Sequence, residues 1–427
     1  MRKPVFLKPC IICLPLKLPA ILVMFLLASC GFGEPATAVI RTDRPEFAIY
    51  AEYFNSSQDK YKIETRYSLS LTQKLTDARD NPDIVVGSWL KSASTRSLFK
   101  SLDYLLKKGI DGDTFYSRLL SLGKIEDKQY LLPVSFNIPA LAFSGNNNNL
   151  LSNLFVIEPE EIKEIGSTYN RESGGAFTRM GFSPSWNDEF IFIIATLFNT
   201  GFREAGPLAW DNAALEESIQ YIRRWISEAN INTNMESDFS FKYFFVPQTK
   251  LAISGRILFC YLESSEFFTL TGEQRDTLDF RWIAGKDGTI PLTENTTYYG
   301  ISKTARAKKA ADAFTLWFFR EDTQRLLLEE SRRRGMNETL FGIGGGFSAM
   351  RTVTEHIFPR YYSGLLGHMP PEAALSPPNI LPHNWMAIKH QVILPYLHDR
   401  IRGENSAGAV SDLDRRLADW LRINRDL

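Results

Sequence analysis

The stretch Tyr130–Ser144, YLLPVSFNIPALAFS, decides the fold of this chain. Two short apolar runs, Tyr130–Val134 and Ala140–Phe143, lie on either side of the polar triplet Ser135–Asn137 and of Pro139. Each run has the length of a buried strand. The stretch is therefore either a buried hairpin or a hinge at which the chain passes from one α/β lobe to another. We expect the hinge, because strand and helix patterns alternate before the stretch and resume after it.

Length and composition are those of a soluble globular protein with more than one domain. The chain has 427 residues, of which 44% are hydrophobic and 23% charged. At roughly 100–200 residues per domain, it accommodates about two to four folded units. Aromatic residues make up 13% of the chain, which indicates either core packing or the lining of a binding cleft. There is no basic excess, so no nucleic-acid partner is predicted.

Residues 1–29 are predicted to be an export signal that is not part of the fold. Basic residues at positions 2, 3 and 8 precede the apolar run Leu18–Ala28. This run is shorter than the roughly 20 residues that a membrane-spanning helix needs, and it is typical of a secretory signal. The following Leu27–Cys30, LASC, resembles a bacterial lipobox, in which Cys30 carries lipid and becomes the mature N-terminus. A plain secretory signal that is cleaved elsewhere is the alternative.

The cysteines agree with export. Cys10 and Cys13 would leave with the signal and Cys30 would be lipidated, so Cys260 remains as one thiol without a disulfide partner. Removal of residues 1–29 leaves 45 basic and 49 acidic residues, a net charge of −4. We expect the mature chain in the periplasm or at the cell surface, tethered to a bacterial membrane by its lipid.

The first part of the chain reads as a parallel α/β unit. Strands are predicted over Ala38–Thr42, Tyr61–Tyr67 and Asp83–Val86, with helical patterns between them. Ligands of such sheets bind beyond the carboxyl ends of the strands. Asp43–Arg44 and Gly87–Trp89 occupy these positions.

A second α/β unit is predicted after the hinge. Ser183–Asp188 opens a helix with Ser185 as its N-cap, which leaves Trp186 in the first turn, away from the apolar stripe. A strand over Arg256–Tyr261 follows, and the turn-rich segment Gly285–Asn295 is interpreted as the return to the first lobe. The remaining predicted elements are a strand over Tyr298–Ser302, one long helix or two abutting helices over Ala305–Glu330, and helices over Trp385–His398 and Ser411–Ile423.

Motifs for nucleotide, metal or serine chemistry are weak. Gly342–Gly346, GIGGG, has neither the GxxxxGK[ST] end nor the GxGxxG register, so a flexible or close-packed loop is favoured. The five histidines lie between His356 and His398 without an HExxH motif, and Cys260 has no adjacent ligand set. There is no GxSxG elbow. No cofactor and no metal are predicted.

Two carboxylate pairs keep a hydrolase open. Glu263 with Glu266, or Asp188 with Glu189, could form the acid and base of a glycoside hydrolase.

Aromatic residues beside polar ones recur at predicted strand ends and helix starts. These are Trp89, Trp186, Tyr261 and Trp385. A rigid ring stacks on the apolar C–H face of a sugar, while neighbouring polar groups bond its hydroxyls. Ligand sites combine apolar walls with a few placed polar groups in this manner.

The order of these segments resembles the family 1 extracellular solute-binding proteins, the lipoproteins that serve ABC sugar importers and are kin to maltose-binding protein. The resemblance rests on the lipobox, Pro82–Gly87 as third strand, Tyr130–Ser144 as first crossing, Ser183–Phe190, Ile253–Phe268 before the second crossing, Tyr298–Phe319 after it, and the closing helices. It implies an α/β, two-lobed periplasmic-binding-protein-like (type II) fold with hinge crossings between the lobes. The N-terminal lobe would be residues 30–139 plus 292–332, and the C-terminal lobe residues 140–291 plus 333–427.

The resemblance also implies a site and a function. The implied ligand contacts are Asp43, Arg44, Ser88, Trp89 and Lys91 from the first lobe, Asn137 at the hinge, and Trp186, Tyr261, Glu263 and Trp385 from the second lobe. The implied function is non-catalytic capture of a carbohydrate by a monomer that delivers it to the permease subunits of an ABC transporter. Three alternatives stay open: a secreted glycoside hydrolase, a structural or adhesive surface lipoprotein, and a binder of peptides or amino-acid-like solutes that uses Arg44 and Glu263 as ion-pair partners.

Overall fold

The structure, a computed structural model, describes residues 35–69, 71–75, 81–206, 208–403 and 412–424. The predicted signal segment and Cys30 lie outside the described residues.

Two β-sheets organise the described chain, one with six strands and one with four. Their strands are, in chain order, β1 (Ala36–Thr42), β2 (Tyr61–Tyr67), β3 (Ile84–Gly87), β4 (Leu132–Phe136), β5 (Pro139–Ser144), β6 (Val156–Ile157), β7 (Phe259–Glu263), β8 (Leu278–Ile283), β9 (Thr297–Ile301) and β10 (Phe347–Ser348). Short two-stranded ribbons pair Lys124–Ile125 with Lys128–Gln129, Arg171–Ser173 with Ala176–Arg179, and Ile290–Pro291 with Leu375–Ser376.

The six-stranded sheet has the order β10–β4–β9–β3–β1–β2. Strand β1 runs parallel to β2 and to β3, as the alternating pattern predicts. Strand β9 is inserted antiparallel between β3 and β4. The carboxyl ends of β1 and β3 therefore lie side by side at one edge, where Asp43 and Ser88 follow them.

The hinge interpretation of Tyr130–Ser144 is confirmed, and the hairpin is excluded. Strand β4 belongs to the six-stranded sheet, whereas β5 belongs to the four-stranded sheet of order β7–β5–β8–β6. Every residue of β5 is buried, because Leu141 and Phe143 face one apolar cluster while Ala140 and Ala142 face another. This strand is apolar throughout because neither of its faces meets water.

The chain returns to the first sheet where the sequence predicts. Strand β8 belongs to the second sheet and β9 to the first, so the intervening Ile283–Thr297 segment is the second crossing. The predicted lobe boundary at residue 333 differs from the sheet topology. Phe347 and Ser348 pair with Phe136 and Ser135 of β4, so β10 belongs to the first sheet. The chain then passes to Trp385, which lies in the core of the second lobe.

Helices cover both sheets. The α-helices are Glu46–Ser57, Leu71–Lys74, Ala93–Arg96, Asp103–Lys108, Ser117–Ser121, Pro159–Tyr169, Asp188–Leu197, Asn212–Ala229, Thr233–Lys242, Gln248–Ile253, Ser264–Phe268, Gly272–Thr277, Lys308–Phe318, Glu321–Arg333, Arg351–His356, Phe358–Tyr361, Trp385–Ile388, Leu394–Arg402 and Leu413–Ile423. A π-helical segment, Lys389–Ile393, joins the helices on either side of it. Short 3-10 helices lie at Gly112–Thr114, Gly145–Leu150, Met336–Glu338, Ser363–Leu365 and Glu372–Ala374.

One predicted helix start is wrong. The helix begins at Asp188 and its N-cap is Asn187, whose Oδ1 accepts hydrogen bonds from the backbone N–H groups of Glu189 (2.8 Å) and Phe190 (3.2 Å). Asn is as good a cap as Ser, and its amide oxygen satisfies two otherwise unpaired donors. Trp186 consequently precedes the helix and does not lie in its first turn.

Candidate functional site

The residues that follow β1 and β3 are tied to the second crossing. Arg44 Nη2 donates to Ser88 Oγ at 2.8 Å and to the carbonyl oxygen of Asn295 at 3.2 Å. Ser88 Oγ donates to the same carbonyl oxygen at 2.9 Å. Arg44 and Ser88, both predicted as ligand contacts, are thus in contact with each other, and Asn295 is a partner that the sequence did not reveal.

Two carboxylates share this position with a single guanidinium group. Asp43 Oδ1 forms an ion pair with Arg44 Nε at 3.3 Å, and Asp43 Oδ2 accepts from the backbone N–H of Ser88 at 3.3 Å. Glu46 is 6% exposed, and its Oε2 atom is buried without a hydrogen-bond partner in the described chain. Burial raises the pKa of both carboxyl groups, against the opposing effect of Arg44. Asp43 Oδ1, Glu46 Oε2 and Arg44 Nε are all buried without a hydrogen-bond partner in the described chain.

Asn137 lies at the junction of the two crossings. Its Nδ2 donates to the carbonyl oxygen of Gly345 at 2.9 Å, and its Oδ1 accepts from Ser264 Oγ at 2.7 Å. Its backbone oxygen accepts from the N–H of Thr293 at 3.1 Å. Both ends of the amide therefore bind the protein itself, which makes Asn137 a positioning residue of the hinge in this structure.

The glycine-rich segment Gly342–Gly346 packs against this junction. The carbonyl oxygen of Gly344 accepts from Ser135 Oγ at 2.9 Å, and Gly345 has a φ of +77°. A Cβ atom on Gly345 would lie 3.3 Å from Glu46 Oε1 and 3.7 Å from Arg44 Nη1. The segment is close-packed, one of the two forms that its sequence favoured. It places Gly345 beside Arg44 and Glu46.

Trp89 and Lys91 leave the end of β3 in different directions. Trp89 has a φ of +66°, unusual for a bulky residue, and its half-buried ring packs against the core of the second lobe. Lys91 is 7% exposed, with Nζ 4.5 Å from the centre of the Tyr298 ring and 3.4 Å from Thr296 Oγ1. Burial lowers the pKa of Lys91 to about 7. The expected contact between Lys91 and a ligand does not agree with this enclosed position.

A buried ion-pair cluster joins the second lobe to the second crossing. Lys389 is 1% exposed, and its Nζ lies 2.6 Å from Glu189 Oε2 and 2.8 Å from Glu294 Oε1. Burial alone would lower the pKa of Lys389, but Glu294 and Glu189 raise it above its ordinary value. Trp385 Nε1 donates to Glu294 Oε1 at 3.2 Å. Glu294 precedes Asn295, so this cluster adjoins the Arg44 network.

The prediction that Trp385 is an accessible ring on which a sugar could stack does not agree with this structure. It is fully buried and packs against Phe192 and Phe202 at centroid distances of 5.7 Å each. Trp385 and Ile388 are the buried residues of this short helix, and both belong to the apolar core of the second lobe.

Tyr261 and Glu263 lie at the end of β7. Tyr261 is 3% exposed, and its hydroxyl group is buried without a hydrogen-bond partner in the described residues. Burial raises the pKa of Glu263 to about 8, with further contributions from Glu266, Glu189 and Glu294. The backbone N–H of Glu263 donates to Glu266 Oε2 at 2.8 Å, which places Glu266 in a helix-capping role.

Asp188 and Glu189, the other candidate acid/base pair, are both engaged in ion pairs. Asp188 Oδ1 lies 2.7 Å from His398 Nε2, and Glu189 binds Lys389. Among the residues that the structure describes, no group of three His, Cys, Asp or Glu side chains could hold a metal ion.

Trp186 remains a partly accessible ring on the second lobe. It stacks on Phe239 with centroids 5.7 Å apart and planes inclined by 16°, and it meets Phe182 edge-on at 6.0 Å. Its Nε1 atom is buried and has no acceptor in the described chain.

The two lobes also touch away from the crossings. The backbone N–H of Ala93 donates to Glu204 Oε2 at 2.8 Å, and Ser94 Oγ lies 3.0 Å from His383 Nδ1. Ala93 and Ser94 follow β3 in the first lobe, whereas Glu204 and His383 belong to the second. The structure therefore shows the two lobes in contact at a second place, apart from the crossings.

Sheet order and crossings define the class of protein whose fold this is. A parallel β2–β1–β3 core with an inserted antiparallel strand, followed by a second sheet reached through crossings, is the two-lobed, type II periplasmic-binding-protein-like fold. The expected fold class is confirmed.

Several solved structures that are similar to this chain are sugar-binding proteins. An ABC substrate-binding protein of Listeria monocytogenes in complex with cycloalternan has a TM-score of 0.61 at 12% identity, over 90% of this chain and 96% of that one. The lacto-N-biose-binding protein of a Bifidobacterium longum ABC transporter gives 0.60 at 14% identity, over 92% and 98%. A cyclo/maltodextrin-binding protein in complex with maltotetraose gives 0.58 at 13% identity, over 93% and 98%. This chain is similar to them in fold, as the sequence resemblance predicts.

No protein-family model matches the sequence. No curated protein matches it either.

Proposed function

We propose that this chain is a non-catalytic, lipid-anchored solute-binding protein, which captures a carbohydrate between its lobes and delivers it to the permease of an ABC importer. The fold and the sugar complexes of its structural neighbours support the carbohydrate. Delivery to a permease and the lipid anchor at Cys30 follow from the sequence resemblance. No helix in the described parts of the chain is long and apolar enough to cross a membrane.

The observation that carries the proposal is a set of buried polar atoms, on both lobes, that have no protein partner in the described chain. Glu46 Oε2 on the first lobe and Tyr261 Oη and Trp186 Nε1 on the second are buried and unpaired in the described chain. A buried polar atom without a partner costs about 1–3 kcal/mol, so such atoms are normally satisfied. A polyhydroxylated ligand supplies both donors and acceptors to such atoms.

Binding between the lobes would shift the equilibrium between an open state and the state in which the lobes are in contact. The contacts of Ala93 with Glu204 and of Ser94 with His383 exist only when the lobes are together. A ligand that contacts both lobes binds this state more tightly than an open one and shifts the population toward it. In this scheme Asp43, Arg44, Ser88, Trp89, Trp186, Tyr261 and Glu263 contribute directly, whereas Asn137 and Trp385 position them.

A thermal-shift screen followed by calorimetry tests the proposal. The chain from Gly31 onward is titrated with neutral mono- and oligosaccharides, polyols, amino acids and short peptides. We expect saturable stabilisation by at least one neutral sugar and no release of reducing sugar from it. Stabilisation by amino acids or peptides alone, turnover of an oligosaccharide, or no shift with any solute would each contradict the proposal.

A pair of isosteric variants connects binding to the site. Glu46→Gln removes the charge of the unpaired buried carboxylate, and we expect it to weaken sugar affinity about tenfold. Glu52→Gln lies on the same helix with an exposed side chain, and we expect it to leave affinity unchanged. Equal affinities of the two variants would exclude Glu46 from the site.

The anchor is tested separately. Cys30→Ser in the full chain should release the protein from bacterial membranes, because the lipid acceptor is lost. Unchanged membrane association would rule out lipidation at Cys30.

A further inference from the structure

Basic side chains are concentrated at the edge of the first sheet where β1 and β2 begin. These two strands run parallel, and Thr37 lies beside Lys62 near their amino ends. Strand β9 is antiparallel to β3, with Ile301 opposite Ile84, so the chain after β9 emerges at this same edge. Six exposed residues at this edge are named the basic edge: Lys60, Lys62, Lys303, Arg306, Lys308 and Lys309.

Hydrogen bonds fix the two parts of the basic edge to each other. Asp83 Oδ1 accepts from the backbone N–H of Arg306 at 2.6 Å, and Asp83 Oδ2 accepts from the backbone N–H of Val39 in β1 at 2.9 Å. The helix Lys308–Phe318 begins two residues after Arg306 and packs against both β1 and β2. The start of this helix is therefore held at the first half of β1, next to the strand that carries Lys62.

The positive charge of the basic edge is largely uncompensated. Of the acidic residues that the structure describes in this region, Asp59 is exposed, Glu64 is paired with Arg66 at 3.0 Å, and Asp312 is paired with Lys100 at 3.3 Å. No ion pair in the described ranges involves a residue of the basic edge. Since the chain from Cys30 onward has 45 basic and 49 acidic residues, the positive charge is a local property of this edge.

Two of these lysines oppose the electrostatics of their own helix. Lys308 and Lys309 are its first two residues, and its first turn contains no acidic residue. The N-terminal end of a helix carries partial positive charge, so cations there lower its stability. Departures from a local stability rule are expected at functional sites. These lysines therefore indicate a partner with negative charge.

The basic edge lies where the proposed lipid anchor joins the fold. Cys30 precedes Ala36, the first residue of β1, by six positions. Six residues reach at most roughly 20 Å even when the chain is fully extended. Lipid attached at Cys30 would therefore keep the start of β1 close to the headgroups of the membrane. Clusters of Lys and Arg beside a membrane attachment point bind anionic lipids.

We infer that the basic edge is a second attachment surface, which docks the first lobe on anionic phospholipid headgroups. The inference rests on the lipid anchor of the proposed function. Asp43 and Ser88 follow the opposite ends of β1 and β3, so the docked lobe would turn the edge with the predicted ligand contacts away from the membrane. An acidic protein would be attracted by the same charges. The short connection to Cys30 favours the lipid surface, because that surface stays within reach of the tethered chain.

Vesicle sedimentation tests the surface without the anchor. The chain from Gly31 onward is mixed with vesicles that contain phosphatidylglycerol and with vesicles of phosphatidylcholine alone. We expect saturable binding to the anionic vesicles at low ionic strength and its loss at high ionic strength, where the charges are screened. The triple variant Lys62→Gln/Lys308→Gln/Lys309→Gln should bind at least about tenfold more weakly. Its melting temperature should not fall, because two cations leave the positive end of a helix.

Three exposed lysines of the second lobe provide a control with the same change in net charge. Lys242→Gln/Lys250→Gln/Lys286→Gln should retain the wild-type affinity for anionic vesicles. Equal losses in the two triple variants, or equal binding of the wild type to anionic and neutral vesicles, would overturn the inference. Binding to bacterial membranes that protease treatment abolishes, without binding to protein-free vesicles, would overturn it in favour of an acidic protein.

The vesicle experiment and the sugar screen can fail separately. Binding to anionic vesicles by a chain that no sugar stabilises would support the basic edge and contradict the proposed function. Stabilisation by a sugar without any binding to anionic vesicles would contradict the basic edge alone.

Discussion

The guanidinium group of Arg44 donates a hydrogen bond of 3.2 Å to the carbonyl oxygen of Asn295, which lies 251 positions later in the chain. Ser88 donates to the same oxygen from the end of a neighbouring strand. Two loops of the first lobe are thereby fixed to the second crossing through one backbone acceptor. A ligand that contacts Arg44 or Ser88 would therefore touch a residue that is hydrogen-bonded to the second crossing.

Replacement of Arg44 should lower the stability of the protein as well as its affinity for the ligand. Arg44→Met leaves Asp43 without its cation and removes the donor to Ser88 and Asn295, so we expect the free energy of unfolding to fall by about 1–3 kcal/mol. Urea unfolding of the ligand-free protein measures this. Arg325→Met removes an exposed ion pair and should leave the free energy of unfolding essentially unchanged. Comparable losses in the two variants would contradict the network.

Lys91 should affect how the free energy of unfolding depends on pH above neutrality, and it should not affect the affinity for sugar. Its folded pKa, lowered to about 7 by burial, lies below the ordinary 10.5. Between these values the unfolded chain binds the proton more tightly, so the contribution of Lys91 to the free energy of unfolding falls as pH is lowered through this window. Lys91→Met should therefore raise the melting temperature at about pH 7 and flatten its pH dependence above it, with sugar affinity retained.

Melting curves from about pH 7 to 10 check this, with exposed Lys107→Met as the control. A large loss of sugar affinity in Lys91→Met, at unchanged stability, would restore Lys91 as a ligand contact.

Ionisation of Glu263 should make stability depend on pH with the opposite sign, in a window that reaches to lower pH. Its folded pKa of about 8 lies above the ordinary 4.5, so the folded chain holds the proton more tightly between these values. Stability should therefore fall as pH rises through this window. Glu263→Gln should flatten the melting temperature between about pH 5 and 8, whereas exposed Glu273→Gln should reproduce the wild-type slope. A wild-type slope in Glu263→Gln would show that Glu263 ionises freely in the fold.

The buried ion-pair cluster should be strongly coupled. Lys389→Met leaves Glu189 and Glu294 without their shared cation, and breaking a buried pair in this way costs about 3–5 kcal/mol. The triple variant Lys389→Met/Glu189→Gln/Glu294→Gln should recover most of this loss, because no unpaired charge remains. Denaturant titration of both variants measures the difference. If the triple variant is no more stable than the single one, packing around Lys389 rather than charge is responsible.

The site should discriminate against anionic sugars. Arg44, Lys91 and Lys389 are all engaged by groups of the protein, while carboxylate oxygens of Asp43 and Glu46 lack hydrogen-bond donors. A carboxylate on the ligand would meet like charge without a free cation. We expect galacturonic acid oligomers to bind at least about tenfold more weakly than galactose oligomers of equal length if galactosides are bound, and equal affinities would contradict this charge pattern.

Much of the fold could be predicted because it depends on local patterns. The predicted strand Ala38–Thr42 lies within β1, the predicted strand Tyr61–Tyr67 coincides with β2, and the long segment Ala305–Glu330 resolves into two abutting helices, one of the two forms expected. The hinge at Tyr130–Ser144 could be recognised because two apolar runs separated by polar residues indicate either a hairpin or a crossing between lobes, and the alternation of strands and helices on both sides favours the crossing. The start of the helix at Asp188 was missed because Ser185 and Asn187 are both good caps.

The site was less accessible to sequence reasoning. Arg44 and Ser88 were predicted at the carboxyl ends of two strands, and the parallel pairing of these strands brings the two side chains into contact. Glu294 and Lys389 were not identified, because only the packing of remote segments brings their carboxylate and ammonium groups together. Glu46 was not identified either, because it lies beside Gly345, which is remote in the sequence. Trp385 looked like an accessible ring from its position at a helix start, and the core of the second lobe encloses it.

The sequence by itself determined that the chain forms two α/β units, where it crosses between them, and which strand ends carry polar side chains, because these features depend on hydrophobic periodicity and on turn residues near in sequence. Only the tertiary structure decided which of those side chains remain available. Burial and pairing are set by residues that are distant in the chain, as for Arg44 and Asn295, which are 251 positions apart, and no local pattern encodes such distant partners.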